Sequence, residues 1–233
     1  MEKAWWTTNL PFRKIDVTYQ RIAYEEIPPI KAKLDEKFKW LEKKPRNDYK
    51  ISDETFNTTR LFQIEAQTNV KLPESFTTFV KNQELHYRIQ SCTDCYFTLP
   101  NYAEKTIGKY EGFLITFLSN GSPFWNLYFD KTGEHFIVAS QSYCGFDSQD
   151  EMYNKGLYDL STPTGIDLEQ KDICFCAPSF KEFIYRFWIE NDIFYRFWIE
   201  NDIFYRGINS KEHKQYVADC LEIQNKLFGK VNG

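Results

Sequence analysis

The sequence predicts an α+β fold: N-terminal helices, a central and mostly antiparallel sheet of about five or six strands, and C-terminal helices. Three observations carry that prediction. Apolar residues recur at helical spacing from about residue 28 to about residue 82. The pattern then shortens into runs rich in β-branched and aromatic residues, split by turn signals. Helical spacing returns after Pro178. Helices, then strands, then helices is the order that sets helices against an antiparallel sheet. A chain of 233 residues can bury a real core, and a composition 42% apolar and 18% aromatic argues against disorder.

Taken in order, the first 25 residues, with Trp5 and Trp6, show no clear period and read as a docking arm. From Pro28 and Pro29, where a missing N–H costs little, Ile30, Leu34, Phe38 and Leu41 predict a helix that Lys43, Lys44 and Pro45 end. Its lysines interleave with Asp35, Glu36 and Glu42, the pattern of a solvated face. A second helix is predicted over residues 53–67, capped by Ser52 or Asp53. A third is predicted in LPESFTTFVKN, with Pro73 at its start, Glu74 in its first turn, and Phe76, Phe79 and Val80 on one face.

HYRIQ, CYFTL, YEGFLITFLSN, PFWNLYFD and EHFIVAS then read as strands, with hairpin signals at Asn120-Gly121 and at Lys131-Thr132-Gly133. DICFCA is a last strand, and SKEHKQYVADCLEIQNKLFG an amphipathic closing helix. The expected division is an arm and helix over residues 1–52, an α+β domain over 53–206, and a C-terminal helix over 207–233 packed on it as one globular unit.

Charge and motifs narrow the function. A net charge of −4 gives no basic footprint for nucleic acid. No window reaches the ~18 apolar residues of a membrane span, and MEKAWWTTNLPFRK lacks the apolar core of a signal peptide, so a cytoplasmic protein is expected. Residues 143–172 hold seven acidic side chains and two basic ones, a net of −5 that exceeds the charge of the whole chain.

Six cysteines include Cys92-x-x-Cys95 and Cys174-x-Cys176, which form a tetrahedral zinc site only if the two segments meet. A C-x-C on a strand turns both thiols to one face, so packed, reduced thiols are the expectation, with no metal. Three histidines, His86, His135 and His213, show no H-x-x-x-H spacing, and no nucleophile elbow, Walker loop or dinucleotide fingerprint occurs. A Cys144–His135 dyad has no orienting motif beside it. No enzyme and no cofactor are expected; the pattern points to binding.

Three stretches, LPESFTTFVKN, GFLITFLSNGSPFWNLYFD and CAPSFKEFIYRFWIEND, resemble the SUKH superfamily, the Smi/Knr-type fold, over roughly residues 53–192. In that family an L-P-x-x-[FY] helix precedes a sheet and an S-F-x-x-F helix closes it. The resemblance implies core roles for Leu72, Pro73, Phe76, Phe79, Trp125, Phe180 and Phe183, and no catalytic residues. It also implies a function through protein contacts: a bacterial immunity protein that neutralises a toxin, or alternatively a regulator or scaffold, as in cell-wall synthesis. A basic toxin domain would meet the acidic stretch with complementary potential. Tyr143, Phe146 and Asp147, with Asp150 and Glu151, combine aromatic anchors with charge and are the candidate partner-binding residues.

One oddity remains. Residues 184–193 recur as residues 194–203, differing only at Ile184 against Phe194. A single copy suits the closing helix: at ~100° per residue, Phe180, Phe183, Ile184, Phe187 and Trp188 span about 140° of arc. A ten-residue shift leaves the second stripe about 80° out of register, so the two copies cannot face one wall of a straight helix. The sequence therefore predicts a helix from about residue 179 to 206, with Asp192–Arg196 and Asp202–Arg206 pairs at i,i+4 and with surplus aromatic surface on the second copy.

Overall fold

The computed structural model describes residues 1–7, 20–52, 58–90, 96–119, 123–141, 144, 165–199 and 210–228. Among these residues nine strands form one mixed sheet and six helices accompany it. The strands are β1 (Glu2–Thr7), β2 (Gln20–Ala23), β3 (Tyr96–Phe97), β4 (Glu104–Ile107), β5 (Gly112–Ser119), β6 (Phe124–Phe129), β7 (His135–Ser140), β8 (Ile166–Asp167) and β9 (Ile173–Ala177). The helices are α1 (Lys39–Glu42), α2 (Thr59–Thr68), α3 (Glu74–Lys81), α4 (Gln83–His86), α5 (Phe180–Ile199) and α6 (Lys211–Phe228).

The strand order is β2-β1-β9-β7-β6-β5-β4-β8, with β3 pairing β5 beside that path. The expected meander β5-β6-β7 is its centre, antiparallel throughout and joined antiparallel to β9. The count of five or six strands is corrected to nine, and the sheet is mixed because β1 runs parallel to β9 and β8 parallel to β4.

The expected N-terminal arm is the main correction. Residues 2–7 form a strand inside the sheet, between β2 and β9, where Trp5 and Trp6 are buried. Burying two successive aromatics erases the alternation that marks a half-exposed strand.

The helix expected from Pro28 shrinks to α1. Asp35 Oδ1 accepts the backbone N–H groups of Lys37 (3.0 Å) and Lys39 (3.3 Å), and Phe38 takes the left-handed conformation at φ 55°. That local turn competes with the helix and sends the fully buried Phe38 into the core, against Phe79 at 5.5 Å and Phe180 at 6.3 Å. HYRIQ is no strand, since α4 carries a buried His86 into a turn.

Both faces of the sheet are covered. Trp125, Leu127 and Phe129 of β6 face the main core with Ile137, Ala139, Cys174 and Cys176, while Tyr128, Phe136, Val138 and Ile173 belong to a smaller cluster behind. The main core runs from Ala4 to Cys220. Helix α5 lies across its sheet, and between residues 180 and 193 its buried side chains point to more than one side, not along one stripe. Phe183 and Phe187 face Trp125 (6.1 and 6.0 Å), while Tyr185 and Trp188 face Trp40 (5.4 and 5.5 Å). Of the predicted stripe, Phe180, Phe183 and Phe187 pack on Phe117 and Trp125 of the sheet, whereas Trp188 lies on the opposite side, which the segment around α1 and α6 cover. The helix passes the repeat junction without a break and is described as far as Ile199. The second copy's side chains, and the surplus aromatic surface expected of them, fall outside the described residues.

Candidate functional site

Tyr143, Phe146, Asp147, Asp150 and Glu151 lie outside the described residues, as do Cys92 and Cys95. The described neighbour, Cys144, is half-buried and donates Sγ–H to Ser140 Oγ at 3.3 Å. Ser140 in turn accepts from Asn126 Nδ2 (3.2 Å), and Asn126 Oδ1 accepts the hydroxyl of Thr116 (2.6 Å). This polar line crosses β5, β6 and β7 on the rear face of the sheet. Burial pushes the Cys144 thiol up to about 11, so it is no thiolate nucleophile near neutral pH. His135 pairs with Phe129 at the opposite end of β7 and bonds Gly133 O, so strand geometry separates the two members of the expected Cys144–His135 dyad.

Cys174 and Cys176 both point into the main core, as their spacing on a strand requires. Burial raises both thiols, Cys174 to about 11. Among the described residues no group of three His, Cys, Asp or Glu side chains could hold a metal ion, and no helix is long and apolar enough to cross a membrane.

The most concentrated buried polarity lies on α5, one turn apart. Arg186 and Glu190 are 3% and 2% exposed. Glu190 accepts the indole N–H of Trp5 at 2.9 Å and the hydroxyl of Tyr216 at 2.6 Å. The guanidinium lies 5.9 Å from the rings of both Trp5 and Tyr24, while its Nε and Nη1 have no acceptor among the described residues. Burial, followed by the nearby Glu190 charge, pushes the Tyr216 hydroxyl well up, so it stays a donor. This centre ties β1, the turn at Tyr24, α5 and α6 together. Enclosed on all sides, it offers a substrate no approach.

Three cavities lined by described residues open at the surface. One of about 560 Å³ lies at the end of β4–β6 beside Lys105, Thr106 and Lys131. A second, of about 380 Å³, runs between residues 29–32 and α6. The third, about 230 Å³, lies where α5 meets α6 and brings Ser210, His213 and Asp192 together with Lys44, Arg88 and Trp188. Ser210 caps α6: its Oγ accepts the backbone N–H of His213 at 3.2 Å. The same Oγ lies 2.5 Å from His213 Nδ1, and Asp192 Oδ2 lies 2.9 Å from Nε2, at ion-pair distance but off the N–H direction. A carboxylate beside Nε2 favours the proton there, which leaves Nδ1 to accept the serine hydroxyl.

Local motifs could not reveal this grouping. Asp192 comes from the repeat and Ser210 reads as a helix cap. Comparison of the chain with protein-family models, with curated proteins and with solved structures finds no match.

Proposed function

We propose that the chain is a protein-binding domain of the SUKH type, and within that class a bacterial immunity protein that neutralises a toxin by direct contact. One observation carries this reading: the three stretches that resemble the family converge in a single aromatic centre. Phe76 and Phe79 of α3 lie 5.0 and 5.6 Å from Phe180 of α5, and Phe183 lies 6.1 Å from Trp125 of β6. Leu72 and all of these rings are buried. Unrelated stretches have no reason to meet in this way; a helix, a meander and a closing helix of one fold do. Binding falls to the acidic stretch through Tyr143, Phe146, Asp147, Asp150 and Glu151, whose charge suits a basic toxin domain.

The test is to sequence the gene's neighbourhood for an adjacent toxin domain and to titrate the chain with that domain by calorimetry over a series of salt concentrations. A neighbourhood with no such domain counts against the immunity reading. Asp147→Lys with Asp150→Lys should weaken binding by about tenfold or more and flatten its salt dependence, with thermal stability unchanged. Equal affinity in the double variant removes the acidic stretch as the binding face. Absence of binding by the unaltered chain removes the immunity reading.

A further inference from the structure

We propose that Ser210, His213 and Asp192 form a hydrolytic centre for esters of small carboxylic acids. Capping accounts for the bond from the His213 backbone to Ser210 Oγ, and for nothing else at this cavity. It does not require the imidazole to turn Nδ1 to within 2.5 Å of the same oxygen, nor a carboxylate from another helix to stand 2.9 Å from Nε2. His213 is only 5% exposed, held by the Trp188 ring at 5.0 Å, whereas Ser210 is exposed at the cavity mouth. A buried base behind an accessible hydroxyl is the arrangement that activates a serine, here with the two ring nitrogens exchanged relative to the serine-protease triad.

The surroundings suit a developing oxyanion. Arg88 lines the cavity and its Nε has no acceptor among the described residues; its Nη1 donates to Lys44 O at 2.6 Å. Lys44 lies 4.3 Å over Trp188 and pairs with Glu212. The first turn of the 18-residue α6 adds its partial positive charge.

The chemistry balances with water as the only co-reactant. Ser210 gives its hydroxyl proton to Nδ1 as Oγ bonds to the ester carbonyl carbon. The carbon–oxygen bond to the alcohol then breaks, and the alkoxide leaves with the proton from Nδ1. Water, deprotonated in turn by Nδ1, cleaves the acyl-serine and releases the acid and the free hydroxyl. Asp192 is a positioning residue, acting through the ring. At about 230 Å³ the cavity takes a short acyl group and no long chain. The centre is independent of the partner-binding reading, for none of its residues lies within 143–151.

The experiment incubates the purified full chain with a fluorophosphonate probe and follows hydrolysis of p-nitrophenyl acetate. One label per chain is expected, mapped to Ser210 by mass spectrometry. Ser210→Asp keeps an N-cap acceptor and should lose the label and at least about 100-fold in turnover, with its melting curve retained. Asp192→Asn should lower kcat with KM unchanged, which a purely structural contact would not do. Failure of the unaltered chain to be labelled at Ser210 leaves that residue a helix cap and overturns the proposal. Turnover equal in Ser210→Asp and the unaltered chain does the same. If Ser210→Asp does not fold, labelling of the unaltered chain decides alone.

Discussion

His86 and Arg186 are both almost fully buried on the helical side of the sheet, yet their surroundings differ in kind. His86 is neutral and satisfied at both ring nitrogens: Nε2–H donates to Phe79 O and Nδ1 accepts the hydroxyl of Ser52, each at 2.8 Å. Its ring lies between Phe79 (4.7 Å) and Phe97 (5.7 Å). Arg186 is charged, lies beside Glu190, and keeps Nε and Nη1 without acceptors among the described residues. The histidine joins segments close in sequence, whereas the Arg186–Glu190 centre joins Trp5 and Tyr216 from near the two ends of the chain. A neutral buried group tolerates the loss of one bond. A buried charge does not, because whatever remains is left ionised in a poorly polarisable interior.

The comparison is broken most severely at Glu190. Glu190→Ala takes the acceptor from Trp5 and Tyr216 and leaves the Arg186 guanidinium without its neighbouring carboxylate. Urea unfolding should show a loss of about 3–5 kcal/mol, the usual cost of removing one partner from a buried pair. Replacing both residues, Arg186→Met with Glu190→Met, should restore much of it, since the desolvated charge is then gone. A loss under about 1 kcal/mol in the single variant would show that the charge is not desolvated.

At His86 the same contrast is read by pH. Burial pulls its pKa down from 6.5 to about 4; the bond to Phe79 O works the other way, and the Lys50 charge works with burial. The unfolded chain therefore binds the extra proton first. The stabilising effect is fully present above about pH 6.5 and is lost as pH falls towards 4, where the slope flattens. At 1.36 kcal/mol per unit this amounts to about 3 kcal/mol. Glu36 and Asp219, whose carboxyls are held low by Lys181 and Lys31 against the effect of burial, add acid sensitivity further down. His86→Gln should remove the pH 4–6.5 segment specifically. An identical pH profile in that variant would overturn the assignment.

What the sequence made legible follows the same physics. Helices α3 and α6 and strands β5, β6, β7 and β9 were readable because period or turn chemistry marks them locally: Phe76, Phe79 and Val80 at helical spacing, and Gly133 at a turn with φ 89°. Strand β1 was not, because its partner β9 lies some 170 residues on and buries Trp5 beside Trp6. Strands β4 and β8 are four and two residues long, too short for a period to show. The helix read from Pro28 failed at Phe38, whose left-handed backbone no periodicity reveals. Of the buried polar centres, Arg186 and Glu190 carry no local sign of burial, because the groups that cover them come from β1 and α6, far away in the sequence. Ser210, His213 and Asp192 are united only by the meeting of two helices.

A milder break separates the hydroxyl from the ring it serves. Ser52→Ala leaves His86 Nδ1 without its donor while the imidazole stays neutral. The expected cost is about 1–2 kcal/mol, well below that at Glu190 and typical of an unsatisfied neutral acceptor. Thermal denaturation at pH 7 measures it, and a loss equal to that of Glu190→Ala would erase the distinction between neutral and charged centres.

The smallest effect is expected from the largest change, deletion of residues 194–203. Residues 185–196 and 195–206 are identical, so the shortened chain still reads Tyr-Arg-Phe-Trp-Ile-Glu-Asn-Asp-Ile-Phe-Tyr-Arg from position 185. Every side chain that the first copy buries is thereby kept, including Arg186, Trp188 and Glu190. The connection is the remaining question. Asp192 and Ser210 both reach His213, so the end of the first copy and the start of α6 already stand close together. Sixteen residues separate Ile193 from Ser210, and ten fewer leaves six. Helix–helix connections of two to eight residues are ordinary, and closing the shorter one costs less entropy by roughly 1 kcal/mol. Stability should therefore stay within about 1 kcal/mol of the full chain, with the His86 pH segment and the Glu190→Ala cost both retained. Circular dichroism melts of the deletion, alone and combined with Glu190→Ala, measure this. An unfolded deletion product would mean that the second copy fills part of the core, and that the first copy is not the one the fold requires.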